Sequence, residues 1–180
     1  MAIPDFKQNY FELFNLPEQF ALDSGLLGER YRHLQQELHP DRYASTSAHE
    51  QRVAVQYSSL VNEAYATLNK SLSRAVYLLH LAGMTQQQIA AEPVDGGFLI
   101  EQMELREKLE SIHDLVDPDA VLDHLVAEIG ADIKSHQAEF AAAYSGQNLD
   151  AAASACVKMQ YLEKLLQEAE QLESDLMDKK

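Results

Sequence analysis

His39-Pro40-Asp41, followed by Arg42, puts an imidazole, a fixed backbone bend and a carboxylate within three residues. Side chains of these types can exchange protons as acid and base, or bind a partner that reaches an exposed turn. They can equally be the polar neighbours of an ordinary proline turn. Enzyme chemistry has little else to draw on, because no nucleophile, phosphate-cradling glycine loop or metal set accompanies the pair. His113 and Asp117 are four residues apart and could share a helix face, but two ligands without a third make poor metal evidence. No C-x-x-C pair is present, so metal or cluster ligation is not expected and no cofactor is implied. Cys156, the single cysteine, lies among small residues and reads as a structural thiol. His80 and His124 read as packing or surface residues.

Helical hydrophobic spacing surrounds this tripeptide, and no alternating β-branched run competes with it. Tyr10–Phe14 is a short helix stopped before Pro17. Asp23-Ser24 can cap a second helix running to Leu38, with Leu27, Tyr31, Leu34 and Leu38 on one face. Pro40 ends it by forcing the preceding residue out of helical geometry. A third helix, about Ala48–Leu68, turns Val53, Tyr57, Leu60, Val61, Ala64 and Leu68 inward, and a fourth runs from about Ser71 to Leu81. The two long helices, joined by about eight polar residues, should lie antiparallel with His39-Pro40-Asp41 at their junction.

Charge separates this region from the rest. The 180 residues carry 29 acidic and 14 basic side chains, a net charge of -15, and nearly all the imbalance lies after residue 85. Such a field repels phosphate backbones and anionic lipid surfaces, which disfavours nucleic-acid and membrane partners. No apolar run reaches membrane-spanning length, and the first 20 residues lack the basic start and apolar stretch of a secretory signal. A lone cysteine fits a cytoplasmic setting. Pro93, Gly96 and Gly97 punctuate the charge step. The expected organisation is therefore a module over residues 1–85, a linker over 86–97 and a second module over 98–180. That second module reads as three helices: about Gly97–Val116 capped by Asp95, Pro118–Tyr144 ended by Gly146, and about Asp150–Met177. Its last helix carries the stripe Leu162, Leu165, Ala169, Leu172 and Leu176. Tyr77, Leu78 and Leu81 are candidates for holding the modules in a fixed orientation.

Four features in order resemble a J-domain over residues 8–82. They are Tyr10-Phe11-Glu12-Leu13-Phe14, Tyr31-Arg32-His33-Leu34, His39-Pro40-Asp41-Arg42, and Asn62-Glu63-Ala64-Tyr65-Ala66-Thr67-Leu68. The resemblance implies a co-chaperone that stimulates ATP hydrolysis by a DnaK-class chaperone. His39, Pro40 and Asp41 would be the activating loop, with Arg30 and Arg32 as docking cations; the bland alternative for both arginines is ordinary surface solvation. Glu37 departs from the family pattern, occupying a position where many J-domains carry a basic residue. The thinner positive patch implies weaker docking or a specialised chaperone.

In the second module, Phe98, Leu105, Leu109, Ile112 and Val116 form an inward stripe, whereas Leu99, Ile100 and Met103 fall on the opposite side. A three-helix bundle buries one face per helix, so this surplus is either an exposed protein-binding patch or a contact with the first module. The run Phe98-Leu99-Ile100-Glu101-Gln102-Met103-Glu104-Leu105-Arg106-Glu107 resembles the signature of the HscB co-chaperones of iron–sulfur cluster biogenesis. Asp150-Ala151-Ala152 and Lys164-Leu165 are also similar to that family. So is the overall plan, an all-α chain with an N-terminal J-domain helical hairpin and a C-terminal three-helix bundle. The resemblance implies that the chain is an adaptor, not an enzyme, delivering the scaffold IscU to the chaperone HscA. Leu99, Ile100, Met103 and Tyr161 would be its apolar contacts, with Glu104 and Glu107 as polar companions. A J-domain protein with another client and a purely structural coiled-coil protein are the competing readings.

Overall fold

Polar side chains start nearly every helix in the computed structural model, which describes residues 6–43, 46–112 and 117–177. Helix α1 (Tyr10–Leu13) begins at Asn9, whose side chain accepts the Glu12 N–H at 2.9 Å while Glu12 accepts the Asn9 N–H at 2.8 Å. Ser47 and Glu50 form the same reciprocal box at the start of α3 (Ala48–Asn69). Asp23 caps α2 (Ser24–Glu37), and α4 spans Ser71–Leu81. Each cap satisfies a backbone donor that has no partner inside the helix, an effect worth about 1 kcal/mol.

The chain divides into two packed units, Met1–Leu78 and Leu79–Lys180. Phe11, Leu27, Val61, Ala64 and Leu68 are completely buried in the first. Removing the Phe, Leu and Val side chains from water contributes about 1.5–3 kcal/mol each. Tyr77 stacks on Tyr10 at 4.4 Å between ring centroids, and its hydroxyl oxygen accepts the Tyr10 N–H at 2.9 Å. The Tyr10 hydroxyl donates to Glu63, and its pKa is pushed up to about 12, chiefly by burial and then by that carboxylate. Tyr77 thus has an internal role, fastening α1 to α4. Arg74 fixes the loop between α1 and α2 by donating to the Phe20 carbonyl at 2.9 Å and lying over the Phe20 ring.

The second unit contains α5 (Gln86–Ala90), α6 (Gly96–Ser111), α7 (Pro118–Ser145) and α8 (Leu149–Met177). Phe98, Leu105, Leu109 and Ile112 of the α6 region meet Leu122, Leu125, Ile129 and Ile133 of α7, with Leu162, Leu165 and Ala169 of α8 completing the core. Leu172 and Leu176 pack at its margin. The all-α plan of a helical hairpin followed by a three-helix bundle is what the spacing predicts. Val116 and His113, assigned above to the stripe and to a weak ligand pair, lie outside the described residues.

Two local expectations change. Residues 86–97 are not a plain linker: Thr85 and Gln88 make a capping box, and Ile89 is fully buried in the second unit. One apolar residue among glutamines is too little periodicity to announce a helix of five residues. In α3 Ala54 is buried, while Val53, Tyr57 and Leu60, expected inward, are only half-buried. Cys156 is buried, and desolvation raises its thiol pKa to about 12, aided by Glu163, which suits a structural thiol.

Candidate functional site

Pro40 creates the first site by what it lacks. Helix α2 closes with the Leu38 N–H on the Leu34 carbonyl at 3.0 Å, and Pro40, without an N–H, cannot extend that ladder. The chain instead turns through a short 3-10 helix, Pro40–Tyr43. The Arg42 N–H closes onto the His39 carbonyl at 3.0 Å, and the Arg42 guanidinium reaches the Gln36 carbonyl at 3.5 Å. Downstream, Tyr43 is buried and its carbonyl accepts from Thr46 Oγ1 at 2.9 Å and from Gln51 Nε2 at 3.1 Å. Both ends of the turn are therefore held by the protein itself.

His39 and Asp41 point away from these anchors. The Asp41 N–H lies within hydrogen-bond reach of His39 Nδ1, at 3.3 Å. The Asp41 carboxylate lies 3.5 Å from the same nitrogen and is 91% exposed. Such a pair offers an imidazole and a carboxylate to an incoming surface, with little folding left to do when it binds. Of the two expected docking cations, Arg30 is half-buried and Arg32 is exposed. The Arg32 guanidinium lies 3.3 Å from where a Cβ on Gly28 would stand, so this glycine gives it room. Among the described residues neither arginine is held in an ion pair. Glu37 faces His33 at 3.9 Å, so this departure from the family pattern does not neutralise the arginines directly.

The second site lies on α6. Phe98, 4% exposed, faces the core, whereas Ile100 and Met103 are 59% and 71% exposed and Leu99 is also open to solvent. Ile100, Met103, Glu104 and Glu107 line one hollow of about 410 Å³ together with Arg106 and Glu110. Leu99 and Tyr161 do not line it. Tyr161 is exposed and comes edge-on to Phe98 at 6.2 Å, so it is tied to the base of α6. The sequence-selected residues thus comprise a compact hollow and two exposed flanking side chains.

Three cations that the spacing does not single out hold this face in place. Lys158 donates to the Asp95 carboxylate at 2.8 Å and stands 5.5 Å from the Phe98 ring centroid. Asp95 also accepts the Phe98 N–H at 2.8 Å; the Lys158 bond, then this backbone bond, pull its carboxyl down to about 2. Arg106 makes paired 3.1 Å bonds to Glu168 of α8, and Lys108 reaches Glu128 of α7 at 3.7 Å. Both α6 cations are thereby drawn toward neighbouring helices. Only the high local density of opposite charges hinted at these pairings.

Comparison with known proteins converges on one family. The profile described as the HSCB C-terminal oligomerisation domain matches residues 94–170. A relative from Shewanella loihica called co-chaperone protein HscB homolog is 40% identical over 171 residues, covering 93% of this chain and 99% of its own. One of the same name from Vibrio cholerae is 41% identical over 172 residues, covering 94% and 99%. The solved chaperone HscB from Vibrio cholerae superposes with a TM-score of 0.85 at 40% identity, over 94% of this chain and 99% of that one. Human co-chaperone HscB gives a TM-score of 0.86 at 30% identity, over 94% and 84%. Among the described residues no helix is long and apolar enough to cross a membrane. The chain belongs to the HscB family of co-chaperones.

Proposed function

We propose that this chain is an adaptor with two docking sites and no chemistry of its own, acting in the cytoplasm. Its first module stimulates ATP hydrolysis by the DnaK-class chaperone HscA. Its second binds the iron–sulfur scaffold IscU and delivers it as a client, promoting cluster transfer and the maturation of iron–sulfur proteins. The cluster is cargo on the scaffold. His39, Pro40 and Asp41 form the activating contact, with Arg30 and Arg32 beside it. Leu99, Ile100, Met103 and Tyr161 contact the scaffold, and Glu104 and Glu107 border them.

The observation that carries this reading is the pairing of a self-anchored turn, bearing an exposed carboxylate and imidazole, with an apolar face on a different unit. An exposed carboxylate recognises a guanidinium well, and an apolar centre with a polar rim suits a folded protein partner. To accelerate hydrolysis, the loop must bind the hydrolysis-competent state of the chaperone more tightly than the resting one; equal affinity would shift nothing.

Single-turnover ATP hydrolysis by HscA, with and without IscU, tests both halves. Stimulation that rises with IscU and vanishes on His39→Gln fits the adaptor. Stimulation insensitive to IscU leaves a J-domain protein with another client, and no stimulation of HscA or a general DnaK-class chaperone overturns the proposal.

A further inference from the structure

Sulfur is the side-chain atom that mild two-electron oxidants attack most readily, and here it is unevenly placed. Five methionines and one cysteine carry it. Among those whose surroundings are described, Met159 and Cys156 are completely buried, Met84 is half-buried and Met103 is 71% exposed. Burial also keeps Cys156 as the unreactive thiol, with its pKa raised to about 12. Met103 therefore meets a dissolved oxidant first.

The same thioether belongs to the α6 face, in the hollow it lines with Ile100, Glu104 and Glu107. Leu99 and Ile100 offer a similar apolar contact with no atom to oxidise. Oxidation of Met103 adds one oxygen and turns a flexible apolar side chain into a polar one. The lining supplies that oxygen with no free donor. The carboxylates of Glu104, Glu107 and Glu110 only accept, and Arg106 is committed to Glu168 by paired 3.1 Å bonds. A sulfoxide in water stays hydrated, whereas one covered by a partner is a buried polar group without a hydrogen bond. The three carboxylates also select the oxidant: their field repels anions and leaves neutral hydrogen peroxide unhindered.

We infer that Met103 is a reversible oxidation site, at which a neutral peroxide converts the thioether to a sulfoxide and so loosens the scaffold from the α6 face. The inference rests on the proposed docking of IscU there and adds the regulation of that site. The sulfur lone pair attacks one peroxide oxygen; the S–O bond forms as the O–O bond breaks. The other oxygen leaves, takes the proton of the first and departs as water. Sulfur is oxidised by two electrons and the peroxide is reduced. The return step draws two electrons from the thiols of methionine sulfoxide reductases, yielding thioether, disulfide and water. Docking thus weakens under peroxide and recovers as thiols are replenished.

The test treats the full chain with hydrogen peroxide, removes the oxidant, and only then adds IscU. Peptide mass mapping should show Met103 gaining oxygen ahead of Met84 and Met159. IscU affinity should fall by at least about tenfold, as for burial of an unpaired polar group, and return after treatment with the reductases MsrA and MsrB. In Met103→Leu, treated and untreated samples should bind IscU alike, whatever affinity the variant starts from. The first unit holds no sulfur beyond Met1, so HscA stimulation without IscU should stay at the untreated level.

Unchanged IscU affinity with Met103 fully oxidised overturns the switch and leaves the docking proposal standing. An equal loss in treated Met103→Leu places the effect on another side chain and overturns it too. So does oxidation of Met84 or Met159 while Met103 stays reduced, or a loss that the reductases do not reverse. No IscU binding by the untreated chain overturns the docking proposal beneath.

Discussion

The two units present their candidate sites by opposite means. In the first, the exposed groups are polar and the backbone does the positioning: Pro40 interrupts α2, and buried Tyr43 fastens the far side of the turn. In the second, the exposed groups are apolar and the helix does the positioning, with Phe98 facing inward and Ile100 and Met103 outward from one continuous α6. A turn can show two chemically specific side chains within three residues, but offers little area. A helix face offers area, but only weak chemical specificity. Joining one of each in a chain suits the proposed role of triggering one partner and holding another.

The sharpest way to break this comparison is at the turn. His39→Gln should reduce HscA stimulation to the level seen without co-chaperone, while IscU affinity changes by less than about twofold, as for independent sites. The side chain is exposed and outside every helix, so the thermal midpoint should hardly move. Coupled loss of both activities, with the fold intact, would mean that the sites are not separate.

The α6 faces provide the next contrast. Phe98→Ala should cost about 3–5 kcal/mol of stability in urea unfolding, because it leaves a cavity among α6, α7 and α8. Met103→Ala should stay within about 0.5 kcal/mol, because its side chain is mostly in water already. Replacing Leu99, Ile100 and Met103 together by alanine should weaken IscU binding by at least about 30-fold, or ~2 kcal/mol. HscA stimulation measured without IscU should be unchanged. Similar stability losses for Phe98→Ala and Met103→Ala would erase the distinction between core and docking face.

How much of this was legible beforehand follows the same division. The tripeptide could be read directly because Pro40 has one dominant local effect, which places His39 and Asp41 in a turn whatever surrounds them. The apolar face could be read because Leu99, Ile100 and Met103 exceed what one buried stripe can use. Helix α5 escaped notice because its single burial, Ile89, depends on tertiary contact with α8 and not on a repeating pattern. Lys158 escaped for a related reason: a lysine in a long acidic helix looks solvated, and only the fold brings it to Asp95 and Phe98. Val53 and Ala54 show the limit of spacing for neighbours near a stripe's edge. Both fit an apolar face, but only Ala54 is buried in the structure.

Asp95 provides the finest division between support and contact. It caps α6 through the Phe98 N–H and holds Lys158, immediately before the residues proposed to touch the scaffold. Because its folded pKa is lowered from 3.8 to about 2, the native state favours the carboxylate. Its contribution is present above pH 4 or so, declines as the pH falls toward about 2, and disappears once both folded and unfolded states are protonated. Asp95→Asn keeps a residue that caps well and removes only the charge. The variant should be slightly less stable than the parent at neutral pH, and the difference should shrink as the pH falls from 4 toward 2 and vanish below that in parallel thermal melts. IscU binding at neutral pH should fall by less than for the triple alanine variant, since Asp95 shapes the start of α6 without belonging to the apolar face. A larger fall than in the triple variant would move Asp95 from the support of that face into the contact itself.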